Sequence, residues 1–156
     1  MVGDTGRVTA IEYDPGLAAC LAANFAGQPD VRAAQGDGTK IDFDPADVIY
    51  VNAGATRPVD HWLDRLKDGG RLILALTRDK DAGGAWFGIE RRGGFLAKWI
   101  SAADLFPCES ARDAESERAL VAALEKGGWD RVTRLFRRGD VPEVQCWLKG
   151  PDWCLA

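Results

Sequence analysis

Three polar side chains in this sequence close apolar or small-residue runs. Glu12 ends "VTAIE", Asp37 stands between Gly36 and Gly38 in "GDG", and Asn52 ends "DVIYVN". A carboxylate at the tip of a buried strand can accept hydrogen bonds from both hydroxyls of a ribose. An aspartate at the next strand end can accept from an adenine amino group, and flanking glycines let the base approach the backbone closely. In open α/β sheets ligands sit outside the carboxyl ends of the strands, so the three tips together suit an adenosine moiety. Singly, each has a plainer reading. A strand-end acid can cap the helix that follows, and G-D-G is common turn chemistry.

Other chemistries find little support. The single histidine, His61, stands beside Trp62 on a predicted helix and reads as a partly exposed structural residue. No nucleophile–base pair is evident, and no catalytic residue is assigned. Cys20, Cys108, Cys146 and Cys154 lack a C-x-x-C pair, so a Cys/His metal site is not expected. No stretch reads as a secretory leader, which leaves a cytoplasmic protein with four reduced thiols as the expectation, Cys20 on the buried face of the first helix. The formal charge of −4 argues against a nucleic-acid or anionic-membrane binder. Arg91-Arg92 and Arg137-Arg138 read as solvated strand ends. No apolar run approaches the roughly 20 residues of a membrane span.

The elements that would carry these tips alternate. After "VTAIE" a helix is predicted from Pro15 to Phe25, with Leu17, Cys20, Leu21, Asn24 and Phe25 mostly along one face and Gly27 as its stop. A short strand spans Val31 to Gln35. "DVIYVN" and "RLILAL" are near-continuous apolar runs, as strands covered on both faces require. Between them Val59, Trp62, Leu63 and Leu66 predict a helix ending at Gly69-Gly70. Strands alternating with helices through short polar links imply an α/β fold. "AWFGIE-RRGG-FLAKWI" predicts a hairpin that continues the sheet in antiparallel sense. A helix over "DAESERALVAALEKGG", capped by Asp113 and facing Leu120, Val121 and Leu124 inward, precedes a final strand pair, "RVTRLFR" and "VQCWLKG". The tryptophans of the second half are expected to pack the sheet and its extension. With no repeat and no linker, residues 1–156 read as one domain, 1–108 the core and 109–156 a C-terminal helix and strand pair.

"MVGDTGRVTAIEYD", "AAQGDGTKIDF" and "ADVIYVNAGATRPVDHWLDRLKDGGRLIL" resemble the protein-L-isoaspartate O-methyltransferase family. The resemblance covers about the first half of the chain, continues weakly to "FPC", and leaves the C-terminal region unmatched. It implies a Rossmann-like methyltransferase sheet, mostly parallel with an antiparallel hairpin, plus a C-terminal α+β extension. It also implies S-adenosylmethionine as cofactor, a small-molecule partner, and methyl transfer to a carboxylate, such as an isoaspartyl residue of a protein or peptide. By the same resemblance Glu12 would bind the ribose, Gly36, Asp37 and Gly38 would face the adenine, and Asn52 and Ala53 would line the floor near the transferred methyl group. A carboxylate acceptor needs little acid–base help, so positioning would supply most of the rate.

In the family a first strand and a glycine-rich turn precede "VTAIE". The resemblance therefore implies that the first strand, which would lie between "VTAIE" and "DVIYV", is missing here. The expectation is a slot of roughly twice the usual 4.8 Å strand spacing, with self-association through open sheet edges. The alternative reading is a catalytically inactive methyltransferase-fold domain acting in protein interaction. A nicotinamide dehydrogenase fragment would share the ribose-binding acid, but "GDG" and "KDGGRLIL" speak against it.

Overall fold

The computed structural model describes residues 2–3, 5–79, 83–139, 141 and 145–156. Its contacts divide the chain into two compact units, Met1–Asp44 and Pro45–Ala156. In the first, β1 (Val8–Glu12) and β2 (Val31–Gln35) form a parallel pair joined through helix α1 (Pro15–Asn24). The helix starts where the sequence requires it: Asp14 Oδ1 accepts from Leu17 N at 2.8 Å, and Pro15 fits the first turn. Its inward stripe is Ala18, Leu21 and Phe25, at spacing i, i+3, i+7. Leu17 and Cys20 lie roughly 100° and 160° round from Ala18 at 100° per residue. Leu17 is accordingly 60% exposed and Cys20 is exposed, which corrects the expected buried face.

The second unit holds a seven-stranded sheet in the order β3-β4-β5-β6-β7-β9-β8. Its strands are β3 (Ala46–Ala55), β4 (Leu66–Thr77), β5 (Gly84–Arg91), β6 (Phe95–Ala103), β7 (Arg134–Arg137), β8 (Leu148–Lys149) and β9 (Trp153–Leu155). Helices α2 (Asp60–Asp64) and α3 (Ala114–Lys126) and a 3-10 turn at Trp129–Arg131 complete it. Among the described residues β3 and β4 form the parallel strand pair of this sheet, and the strand pairings from β4 onward are antiparallel. β1 pairs with β2 and β3 with β4; among the described residues each has a strand on one side only.

The core forms around Leu72, Leu74 and Leu76 of β4 and Phe87 and Ile89 of β5, all fully buried, with Trp62 and Leu63 of α2 and Leu120 of α3. Each such side chain contributes about 1.5–3 kcal/mol through burial. On β5 the buried Ala85, Phe87 and Ile89 alternate with the half-exposed Trp86, Gly88 and Glu90, as the period of two demands. The predicted hairpin is present: β5 and β6 extend the sheet from β4. Gly93 and Gly94 take positive φ in its turn, where Arg92 N donates to Gly94 O at 2.9 Å.

Three expectations are corrected. Helix α2 ends at Asp64, and Leu66 already stands opposite Ala46 in β4. Lys67–Gly70 loops out, Gly69 at φ +77, so its glycines interrupt a strand rather than stop a helix. At the C-terminus β7 and β8 do not pair with each other, because β9, wholly buried, lies between them. Cys146 and Cys154 are joined in a disulfide, so two cysteines, Cys20 and Cys108, rather than four are reduced.

Of the pair Arg137-Arg138, Arg137 is not a solvated strand end, while Arg138 is exposed. Arg137, its side chain 13% exposed, bonds Asp60 at 2.6 Å, pairs with Asp64 and lies 5.3 Å from the centre of the Phe95 ring. Arg138 joins the same two carboxylates at 3.0 and 2.6 Å.

Candidate functional site

In the first unit the parallel register brings the ends of β1 and β2 side by side, and Gly36 N donates to Glu12 O at 2.9 Å. Glu12 is half-buried, and its Oε1 accepts from Asp14 N at 3.0 Å. Gly36 has φ +156, and a Cβ there would come within 3.1 Å of Ile41 Cδ1. Around Gly38 there is room: the nearest atom to an added Cβ is Ile11 Cγ2, at 3.9 Å.

Asp37 organises the loop after β2. Its Oδ1 accepts from Thr39 N at 2.9 Å and from Thr39 Oγ1 at 2.7 Å, and Lys40 Nζ stands 2.8 Å from Oδ2. The hydrogen bond to this carboxylate, aided by its charge, raises the Lys40 pKa. The carboxylate is 17% exposed and Lys40 77% exposed. An incoming amino group would thus displace a solvated lysine, a weak competitor.

Asn52 and Ala53 belong to the second unit. There β3 and β4 stay in register to Val51↔Leu74 and resume at Gly54↔Ala75. Asn52 and Ala53 therefore bulge from the ladder, a device that re-aims side chains. Asn52 is exposed, and its Oδ1 accepts from the Tyr50 hydroxyl at 3.2 Å. The Tyr50 ring is stacked on Trp86, with centroids 5.5 Å apart and planes 9° from parallel. This contact occupies the carboxamide oxygen and leaves the NH2 as the donor end of the side chain.

The bulge is closed behind by Gly54. Its N–H donates to Phe106 O at 2.8 Å; its carbonyl accepts from Cys108 N at 2.9 Å and from Arg112 Nη1 at 2.8 Å. Sequence reasoning missed Tyr50, Gly54 and Arg112. Only Gly54 carried a signal, as the glycine of "NAGA".

Thus Glu12, Gly36, Asp37 and Gly38 share the strand tips of one unit, and Asn52 and Ala53 form the bulge of the other. Among the described residues no three His, Cys, Asp or Glu side chains converge as a metal site would need. A cleft of about 610 Å³ lies elsewhere in the second unit, lined by Arg57, Asp60, Asp113, Arg137 and Trp153 among others. Two of its carboxylates are paired within the fold, Asp60 with Arg137 and Asp113 with Arg57.

The profile of the protein-L-isoaspartate(D-aspartate) O-methyltransferase family matches residues 1–87, more than half of the chain. The chain belongs to that family. It is similar to protein-L-isoaspartate O-methyltransferase 2 of Arabidopsis thaliana, 35% identical over 86 residues that make up 49% of this chain and 28% of that protein. Similarity to the Thermotoga maritima protein-L-isoaspartate O-methyltransferase is 32% identity over 81 residues, 49% of this chain and 26% of the relative. The chain thus spans well under two thirds of either relative.

Two solved structures share the fold. A protein-L-isoaspartate O-methyltransferase superposes with a TM-score of 0.62 at 22% identity, over 80% of this chain and 39% of its own. A Plasmodium falciparum structure, described as a protein-L-isoaspartate O-methyltransferase in complex with S-adenosyl-L-homocysteine, gives a TM-score of 0.55 at 16% identity, over 66% and 52%. The Rossmann-like fold is therefore common to all three. Among the described residues, no helix is long and apolar enough to cross a membrane.

Proposed function

We propose that this chain takes part in S-adenosylmethionine-dependent methyl transfer to a carboxylate, that of an isoaspartyl residue in a protein or peptide. The observation that supports it is that Glu12, the Gly36-Asp37-Gly38 loop and the Asn52–Ala53 bulge, all strand-end features, fall inside the stretch matched by the family profile. The donor sets suit the cofactor's parts. Glu12 offers Oε2 to a ribose diol, while its Oε1 is held by Asp14 N. Asp37 offers an acceptor to an adenine amino group, and the open space at Gly38 admits the ring edge. Asn52 presents a neutral donor beside the small Ala53, leaving a floor without bulk near the transferred group. The cofactor, when bound, supplies a sulfonium-activated methyl group. In this proposal residues 1–156 act as one methyltransferase-like domain, 109–156 its extension. The cytoplasmic location expected from the sequence loses its thiol argument, because the Cys146–Cys154 disulfide needs oxidising surroundings.

Calorimetric titration with S-adenosylhomocysteine tests the reading, and Glu12→Ala should weaken the binding. The absence of both heat and thermal shift at millimolar ligand would remove the cofactor assignment. Binding without methyl transfer to an isoaspartyl peptide would favour the non-catalytic interaction domain.

A further inference from the structure

Residues 109–156 lie outside the family match, yet one of them reaches the bulge at the end of β3. Resting on the reading above, we infer that Arg112 is a positioning residue: its guanidinium fixes the Asn52–Ala53 bulge in the form that would line the cofactor site.

The argument begins with what a bulge loses. Asn52 and Ala53 have no ladder partners on β4, so the neighbouring buried groups must be satisfied from elsewhere. Gly54 is buried, and its carbonyl takes one bond from Cys108 N and another from Arg112 Nη1, which uses both lone pairs. The same Nη1 bonds Thr77 O at 2.9 Å and approaches Thr77 Oγ1 at 3.3 Å. One guanidinium therefore spans the ends of β3 and β4, beginning at the first residue after the bulge.

Its charge is compensated from within the fold. Arg112 Nη2 pairs with Glu117 Oε2 on α3, and Glu117 Oε1 accepts from Asp79 N at 2.8 Å. The two side chains are 12% and 24% exposed, so the clamp is in place before any ligand arrives. A lysine carries its three donors at one compact point and lacks the planar fork by which Nη1 takes Gly54 O and Thr77 O while Nη2 takes Glu117. A role confined to holding α3 would need only the pair with Glu117. The bonds to Gly54 and Thr77 carry the assignment to the bulge.

The test uses the whole chain. Arg112→Lys keeps the charge and loses the fork. Arg112→Gln combined with Glu117→Gln removes both charges, so that neither is left buried alone. Amide hydrogen exchange is followed over residues 50–56 and 106–110, with 72–76 and 118–124 as references. Both variants should exchange about ten- to a hundredfold faster at 52–54 and 108, the loss expected for one or two charge-assisted hydrogen bonds, with the references unchanged. S-adenosylhomocysteine should bind each at least about tenfold more weakly than it binds the unaltered chain.

Unchanged exchange at 52–54, or acceleration spread evenly over the references, would overturn the inference. So would unchanged affinity in a variant whose bulge has loosened. If the unaltered chain takes up no S-adenosylhomocysteine, the proposed function fails on its own, and the exchange pattern still decides what Arg112 holds.

Discussion

Replacing Gly54 by alanine should be costly for a reason of space alone. Its φ is not positive, so alanine meets no backbone penalty. An added Cβ would stand 1.9 Å from Thr77 Oγ1, 3.0 Å from Thr77 Cβ and 3.2 Å from Thr77 Cγ2. An ordinary contact there exceeds about 3.4 Å, so the strands must part or Thr77 must leave its rotamer. Neither response is cheap. Gly54 is pinned by Phe106, Cys108 and Arg112, and Thr77 is 2% exposed.

Overpacking of a closed core costs about 1–3 kcal/mol, and this geometry calls for the upper half of that range. At roughly 4 °C per kcal/mol the melting temperature should fall by about 8–12 °C. Urea denaturation of Gly54→Ala, Thr77→Ala and the double variant measures the effect as a cycle. Removing Oγ1 and Cγ2 should relieve the clash, so the two changes should couple by about 1–2 kcal/mol. A loss below about 0.5 kcal/mol for Gly54→Ala, or strict additivity in the double variant, would refute the close packing of β3 on β4 at this point.

Alkylation under denaturing, non-reducing conditions should label two thiols, Cys20 and Cys108; labelling of four would show that the Cys146–Cys154 disulfide is absent. Breaking that eight-residue link should cost roughly 2–3 kcal/mol in the chain-entropy account, read by chemical denaturation of Cys146→Ala/Cys154→Ala. Arg137→Ala should destabilise by about 1–2 kcal/mol, because a largely buried guanidinium leaves Asp60, Asp64 and the Phe95 face, whereas Arg138→Ala, 53% exposed, should leave the melting temperature almost unchanged. The carboxyls of Asp64 and Asp113 titrate below the usual range. At Asp64 burial opposes ionisation but the bonds from Arg137 and Arg138 outweigh it, and at Asp113 the Ser116 N–H is the main cause. Both are more acidic folded than unfolded, so their contribution is full above about pH 4 and disappears as the pH falls through their lowered folded values. Melting curves from pH 6 to 2 should show that acid limb, smaller in Asp64→Asn.

What the sequence disclosed was local. Val31–Gln35, "RLILAL", the hairpin at Gly93-Gly94 and the Asp113 cap each rest on a pattern contained in a few neighbouring residues. The boundary at Leu66 was illegible because "KDGG" has the composition of a helix stop, while its role as a loop inside β4 depends on Ala46, twenty residues away. The place of β9 depends on which strand β7 meets, a matter of tertiary pairing over a three-residue segment. The tips Glu12, Asp37 and Asn52 could be named from their strands. Arg112, fifty-eight residues from Gly54, gave no sign of its partner.

Homology and physical support therefore have different limits in this chain. The family match stops at residue 87, inside β5, while β4, its neighbour in the matched stretch, takes hydrogen bonds from β5 as far as Arg71↔Glu90. The end of β3 depends still further on: Gly54 bonds to residues 106, 108 and 112, Thr56 N to Ala111 O, and the buried Thr56 and Ser116 hydroxyls to each other at 2.6 Å. Each such group left unpaired in the interior would cost about 1–3 kcal/mol. Several together would consume much of the 5–15 kcal/mol by which a domain of this size is stable. The matched stretch thus shares the buried hydrogen bonds next to its bulge with the segment beyond it. Variation between residues 106 and 117 is thus expected to act on Asn52 and Ala53 as directly as variation beside them in the sequence.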